Sequence, residues 1–316
     1  MTGLWLRRAF MVAAWASVAL LAGCGSSSVV SALTPTRFIA FGDAFSDLGA
    51  AGTGKYSVNN GGNNWVQQMA AGYGRSVTSV LDGGTSYARG NARVTSAVDA
   101  AGGAAPSVTQ QITNFLAAGG SFGPTDVVVI NGGFSDIIAE MGAVNSGAQT
   151  SAAMLANVGQ EGRDLAAQVR RLVKAGAKYV LVTGVMNMGF TPWATNIGQV
   201  SLLSQASGKF NDELVVSMVD LGANVLYVDA AFFYNLMNTS PANYAFNNSV
   251  NPVCNSVDPG PGIGIGLGQV NSSLCTPATV GGQDYSKFLY ADAVYSTPSA
   301  HRQFGDYAYS RIHARW

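Results

Sequence analysis

The chain has 316 residues, 48% of them hydrophobic and 11% charged, with 17 Lys and Arg against 17 Asp and Glu. That length supports one large α/β domain with a sizeable core, and the balanced charge supplies no basic stripe for phosphates, which argues against nucleic acid as a partner. Two histidines, His301 and His313, are too few for a metal cluster built on imidazole, so neither a metal nor a cofactor is expected.

Arg7 and Arg8 precede an apolar run from Ala9 to Ala22 that is too short to span a bilayer comfortably and reads as the core of an export signal. The run ends in Leu21-Ala22-Gly23-Cys24, which resembles a bacterial lipobox. The resemblance implies cleavage before Cys24 and lipidation of its thiol. The expected organisation is a signal peptide over 1–23, a Ser-rich flexible tether over 24–36 and one domain over 37–316. Gly25 after the cysteine points to the outer membrane of a bacterial envelope. The membrane is then a partner through the anchor, whereas the sequence leaves the oligomeric state open.

Arg37-Phe38-Ile39-Ala40-Phe41 reads as a first strand. Asn64 to Tyr73 reads as a helix with Trp65, Met69 and Tyr73 on one face. Asp126 to Asn131 is a short apolar strand of the kind buried on both faces. Met154, Val158, Leu165, Val169 and Leu172 recur at helical spacing, and Gly176 follows as a stop. Tyr179 to Thr183 is the next strand, Leu203 to Leu221 an amphipathic helix, Asn224 to Asp229 a further strand and Pro298 to Arg311 a final helix. Alternating strands and helices predict a parallel sheet covered on both faces, with its site beyond the carboxyl ends of the strands. Ala242 to Gly282 reads as a long excursion. Cys254 and Cys275 flank its Gly/Pro/Ser-rich part, and in an oxidising compartment they are expected to form a disulfide.

The first strand runs into Gly42-Asp43-Ala44-Phe45-Ser46-Asp47-Leu48-Gly49. This segment resembles the first motif of the SGNH/GDSL lipase and acylhydrolase family, with Ala44 at the position of the nucleophilic serine. Ser86-Tyr87-Ala88-Arg89-Gly90-Asn91-Ala92 resembles the second motif, Asn-Tyr-Ala-x-Gly-Gly-Ala, so Gly90 matches its oxyanion glycine. Gly133-Phe134-Ser135-Asp136 resembles the third, with Ser135 in place of an oxyanion asparagine. Asp292 to His301 resembles the last, where Asp292 matches the orienting carboxylate, Tyr295 stands at the base and His301 matches only a trailing histidine. Phe210-Asn211-Asp212-Glu213-Leu214 and the Gly189-Phe190-Thr191-Pro192 turn extend the match toward the lipase-like branch. The resemblance implies a three-layer α/β/α sandwich with a flavodoxin-like parallel sheet.

A serine esterase needs a hydroxyl to attack, an imidazole to take its proton, a carboxylate to orient the imidazole and donors for the oxyanion. Ala44, Ser135 and Tyr295 remove three of these parts. The expectation is a GDSL-type esterase-like lipoprotein with impaired catalysis and a retained cleft for an acyl ester, a lipid or an acetylated glycan. The alternative is an active ester hydrolase that uses Ser46 or Ser135 with His301. A separate stretch, Gly49 to Tyr56, nearly matches a phosphate-binding loop, but Tyr56 stands where a magnesium-holding hydroxyl belongs and no strand ends just before Gly49.

Overall fold

The computed structural model describes residues 31–316. The signal over 1–23, the lipidation site Cys24 and the first part of the tether lie outside the described residues. Packing onto the domain begins before the expected end of the tether at residue 36. Leu33 is buried and its N–H donates to the carbonyl of Trp316 at 3.1 Å, while Arg75 Nε reaches the Pro35 carbonyl at 2.9 Å.

Four parallel strands, β1 (Phe38–Phe41), β2 (Val127–Asn131), β3 (Tyr179–Thr183) and β4 (Val225–Tyr227), lie side by side in that order. β2 pairs with β1 from Phe38 opposite Val127 and with β3 from Val127 opposite Tyr179. Every residue of β1 and β2 is buried, as continuous apolar runs covered on both faces require. A short extended segment flanks β1 on its other side, where Ala40 bridges Ser86 in parallel. Counting that segment second in the chain gives the flavodoxin-like order 2-1-3-4-5.

Two helical layers cover the sheet. On one side α1 (Trp65–Gly72) packs with the long final helix α8 (Pro298–Arg315), which also meets α7 (Ala230–Thr239). On the other, α4 (Ser151–Lys174) packs against α2 (Val108–Ala117), α3 (Phe134–Asn145) and α6 (Val200–Val216), and a short α5 (Pro192–Asn196) precedes α6. This is the α/β/α sandwich expected from the alternation. α4 and α6 meet closely because Gly162 carries no side chain: a Cβ there would lie 2.4 Å from the Phe210 carbonyl oxygen. Among the described residues no helix is long and apolar enough to cross a membrane.

The excursion after α7 is largely irregular. It contributes β5 (Asn248–Pro252), which pairs in parallel with β6 (Phe288–Tyr290) to form a second, two-stranded sheet. Cys254 and Cys275 form a disulfide with their Cα atoms 5.9 Å apart, and both cysteines sit in a small apolar cluster with Val58, Val253, Val280 and Ala291.

Candidate functional site

The switch point of the sheet lies between β1 and β2, where the chain leaves the two neighbouring strands toward different elements. The Gly42–Asp47 turn and the Gly132-Gly133 turn stand there side by side. Gly42 is required by close approach, since a Cβ would overlap Asn131 Oδ1 at 1.8 Å. Gln111 fixes the turn by accepting from Gly42 N at 2.8 Å and donating to its carbonyl at 2.9 Å.

Asp43 ties three elements together. Its carboxylate accepts from Phe45 N at 3.0 Å, from Asn131 Nδ2 at 2.6 Å and from Phe134 N at 3.1 Å. The last bond gives the first turn of α3 an acceptor that its own N-cap, Gly133, lacks. Burial pushes the Asp43 carboxyl up to about 7, against the pull of these donors.

Ala44 is buried and offers only a methyl group. Ser46 lies in a tight turn, where its amide donates to the Asp43 carbonyl at 3.1 Å. The turn delivers the Phe45 ring against Trp65, Phe134, Tyr234, Phe304 and His301, all with centroids within 6 Å.

Asp47 accepts from Gly49 N at 2.9 Å and from Gly90 N at 2.6 Å. The second-motif amide is therefore already bonded. A Cβ on Gly90 would fall 1.9 Å from the hydroxyl oxygen of Tyr56, so that phenol packs directly on the glycine. Asn91 adopts a left-handed conformation with φ 60°, at the place where the resembled motif has a second glycine.

Ser135 and Tyr295 are both fully buried. Neither hydroxyl makes a hydrogen bond of acceptable geometry, although the two face one another closely enough for the serine to ease the tyrosine's ionisation slightly. Burial, with Asp43 nearby, holds Tyr295 well above an ordinary phenol, so it is a neutral group and no base. Asp292 is held chiefly by backbone amides. It accepts from Val294 N at 2.8 Å, Tyr295 N at 2.7 Å and Ser272 N at 3.0 Å. It shapes the turn that presents Tyr295.

His301 lies in the first turns of α8 beneath the aromatic cluster, with its ring 5.6 Å from Phe45. Burial pushes its pKa down to about 3, and Lys55 acts in the same direction. Its Nδ1 has no partner, and neither Ser46 Oγ nor Ser135 Oγ bonds to anything. The structure therefore does not join Ser46 or Ser135 to His301 in a nucleophile–base pair. Ala44, Ser46, Ser135, Asp292, Tyr295 and His301 are all buried.

One cluster was not legible in sequence. Asp136, next to Ser135, accepts from Val94 N through both oxygens at 3.1 Å and pairs with Arg93 at 3.3 Å. Arg93 also holds Glu140 at 2.9 Å and Glu161 at 2.6 Å. Burial raises both Asp136 and Glu161, because one guanidinium cannot compensate three carboxylates. Only the fold brings these four residues together from three segments.

No protein-family model matches the chain. It is 28% identical over 219 residues to an "Uncharacterized protein in trpE-trpG intergenic region" of Pseudomonas putida, covering 67% of this chain and 33% of that protein. It is 32% identical over 146 residues to Esterase EstA of Pseudomonas aeruginosa and to Esterase EstA of Pseudomonas putida, covering 44% of this chain and 20% of each. The chain thus spans a third or less of the length of these relatives. The parallel α/β sandwich and this match together make the chain a distant relative of a Pseudomonas esterase.

Proposed function

We propose that this protein is an exported member of the GDSL lipase/esterase family that has lost ester hydrolysis by the serine mechanism. The carrying observation is the state of the switch-point site. A methyl group stands at the nucleophile position, a buried phenol at the base, and the surviving carboxylates Asp43, Asp47 and Asp292 are occupied mainly by backbone amides. Losing a triad nucleophile costs about a million-fold in kcat, and the remaining donors of such a site give roughly a thousandfold over water. Here even the Gly90 donor is committed to Asp47. The distant match to Esterase EstA supports the family, and the Cys254–Cys275 disulfide supports an extracytoplasmic location.

In this reading the lipobox places a lipid on Cys24 and holds the domain at the outer membrane. The protein then acts by binding and not by turnover. An acyl ester, a lipid or an acetylated glycan, the ligands that the resemblance implies, would have to bind outside the sealed position or displace what fills it. The test is hydrolysis of p-nitrophenyl acetate and butyrate by the purified protein, beside fluorophosphonate labelling. No labelling and a rate close to buffer are expected. Robust turnover with a labelled serine would overturn the reading and direct attention to Ser46 and Ser135.

A further inference from the structure

Tyr56 lies on the loop between the first motif and α1, outside every motif that carries the family resemblance. Its hydroxyl packs on Gly90, and its ring meets Tyr295 edge to face with centroids 5.2 Å apart and planes at 66°. One side chain therefore spans the glycine of the second motif and the base position of the last. Burial raises the Tyr56 phenol, and the carboxylates of Asp47 and Asp292 act in the same direction, so the ring is neutral.

The loop that delivers Tyr56 is fastened on both sides of it. Ser57 Oγ donates to the Ser296 carbonyl at 2.8 Å, which ties the loop to the segment that carries Tyr295. Asn59 donates from its backbone to the Cys275 carbonyl at 2.8 Å, and its side chain reaches the same carbonyl at 3.1 Å. Lys55 N donates to Asn59 Oδ1 at 2.8 Å, and Lys55 Nζ reaches Gln67 Oε1 at 2.8 Å. Through Cys275 the disulfide braces the same contact. A loop held this way keeps its tyrosine in place.

We propose that Tyr56 is a built-in plug of the vestigial ester site, filling the space between the Cα of Gly90 and the ring of Tyr295, and that it, together with the lost catalytic residues and the Asp47 carboxylate on the Gly90 amide, bars acyl ligands from Ala44. This rests on reading the switch-point site as a former ester site. An acyl group entering between the second-motif glycine and the base position would meet the phenol, so restoring the missing chemistry alone would not restore access. A minimal revertant needs a fourth change at Tyr56.

The experiment compares the mature chain carrying Ala44→Ser, Ser135→Asn and Tyr295→His with the same chain carrying Tyr56→Ala as well. A fluorophosphonate probe reports serine access. The expected result is slow labelling of the triple variant and a rate at least about tenfold higher once Tyr56 is removed, since small errors of placement at a reacting centre already cost that much. Equal labelling of the two, whether fast or undetectable, would overturn the proposal. Because Tyr56→Ala in that background removes packing that folding uses, a second comparison uses Ala44→Cys alone and with Tyr56→Ala or Tyr56→Phe. Iodoacetamide modification above that of the unaltered chain is read by mass. Tyr56→Ala should accelerate modification by about tenfold or more, with Tyr56→Phe close to the parent because the ring remains. Acceleration absent in Tyr56→Ala would count against the plug. Turnover by the unaltered protein, by contrast, would overturn the functional reading and leave the access measurement standing.

Discussion

The amide of Gly90 donates to Asp47 Oδ2 at 2.6 Å, so a carboxylate from the first motif holds the backbone of the second. The same carboxylate accepts from Gly49 N, which closes its own turn. Asp47 therefore works as a structural clamp. Replacing it with Ala leaves two amides without an acceptor, and each such buried group costs ~1–3 kcal/mol. The expected loss for Asp47→Ala is about 2–4 kcal/mol in urea unfolding with an unchanged slope. A loss below about 0.5 kcal/mol would mean that solvent replaces the clamp.

Asn91 sits at φ 60° and its Nδ2 donates to the Gly262 carbonyl at 2.8 Å. Asn91→Gly relieves a strain of ~1 kcal/mol and forfeits a bond of similar net worth, so stability should stay within about 0.5 kcal/mol of the parent. Asn91→Ala loses the bond and keeps the strain, and should destabilise by ~1–2 kcal/mol. Thermal unfolding of the pair separates the two contributions.

His301 and Asp43 give opposite pH dependences. The folded state depresses His301 from 6.5 to about 3, so the unfolded chain takes up its proton first and stability falls as pH drops from about 6.5 toward 3. Asp43 is raised from 3.8 to about 7, so its contribution is fully present below about 4 and is lost as pH rises through about 7. His301→Phe keeps an aromatic ring in the cluster and removes the first effect. Its melting temperature should exceed the parent's at pH 5, and the difference should shrink above pH 7. A difference independent of pH would show that His301 does not titrate in this way.

The disulfide closes a segment with a sequence separation of 21 residues. Replacing Cys254 and Cys275 together by Ser should cost about 3 kcal/mol in the chain-entropy model. The same substitution loosens the Cys275 carbonyl to which Asn59 donates. Faster proteolysis within residues 50–64 is therefore expected alongside the stability loss.

Gly162→Ala tests the close approach of α4 and α6. Alanine favours a helix by ~1 kcal/mol over glycine, yet its Cβ would lie 2.4 Å from the Phe210 carbonyl. Overpacking should win, with a net loss of ~1–3 kcal/mol by denaturant unfolding. A stabilised variant would show that the helices can separate without penalty.

Periodicity alone fixed most of the sheet and the long helices. Val127 to Asn131 and Tyr179 to Thr183 are uninterrupted apolar runs that can be satisfied only between two helical layers, and Met154 to Leu172 repeats at a spacing that admits one element. That Ala44, Ser135 and Tyr295 depart from the motifs they resemble is also read from the sequence, since a departure from a motif is visible without coordinates. Tertiary structure decided what those positions became. Whether the surviving carboxylates still served chemistry depended on which amides faced them, and those amides come from residues as distant as Asp43 and Phe134 or Asp292 and Ser272. His301 was the alternative base read from the sequence, and only the fold shows that it is buried beside Phe45, where burial lowers its pKa. The closure by Tyr56 was invisible beforehand, because a tyrosine in a glycine-rich loop carries no signal until the loop's tethers to Ser296 and Cys275 set where its ring goes.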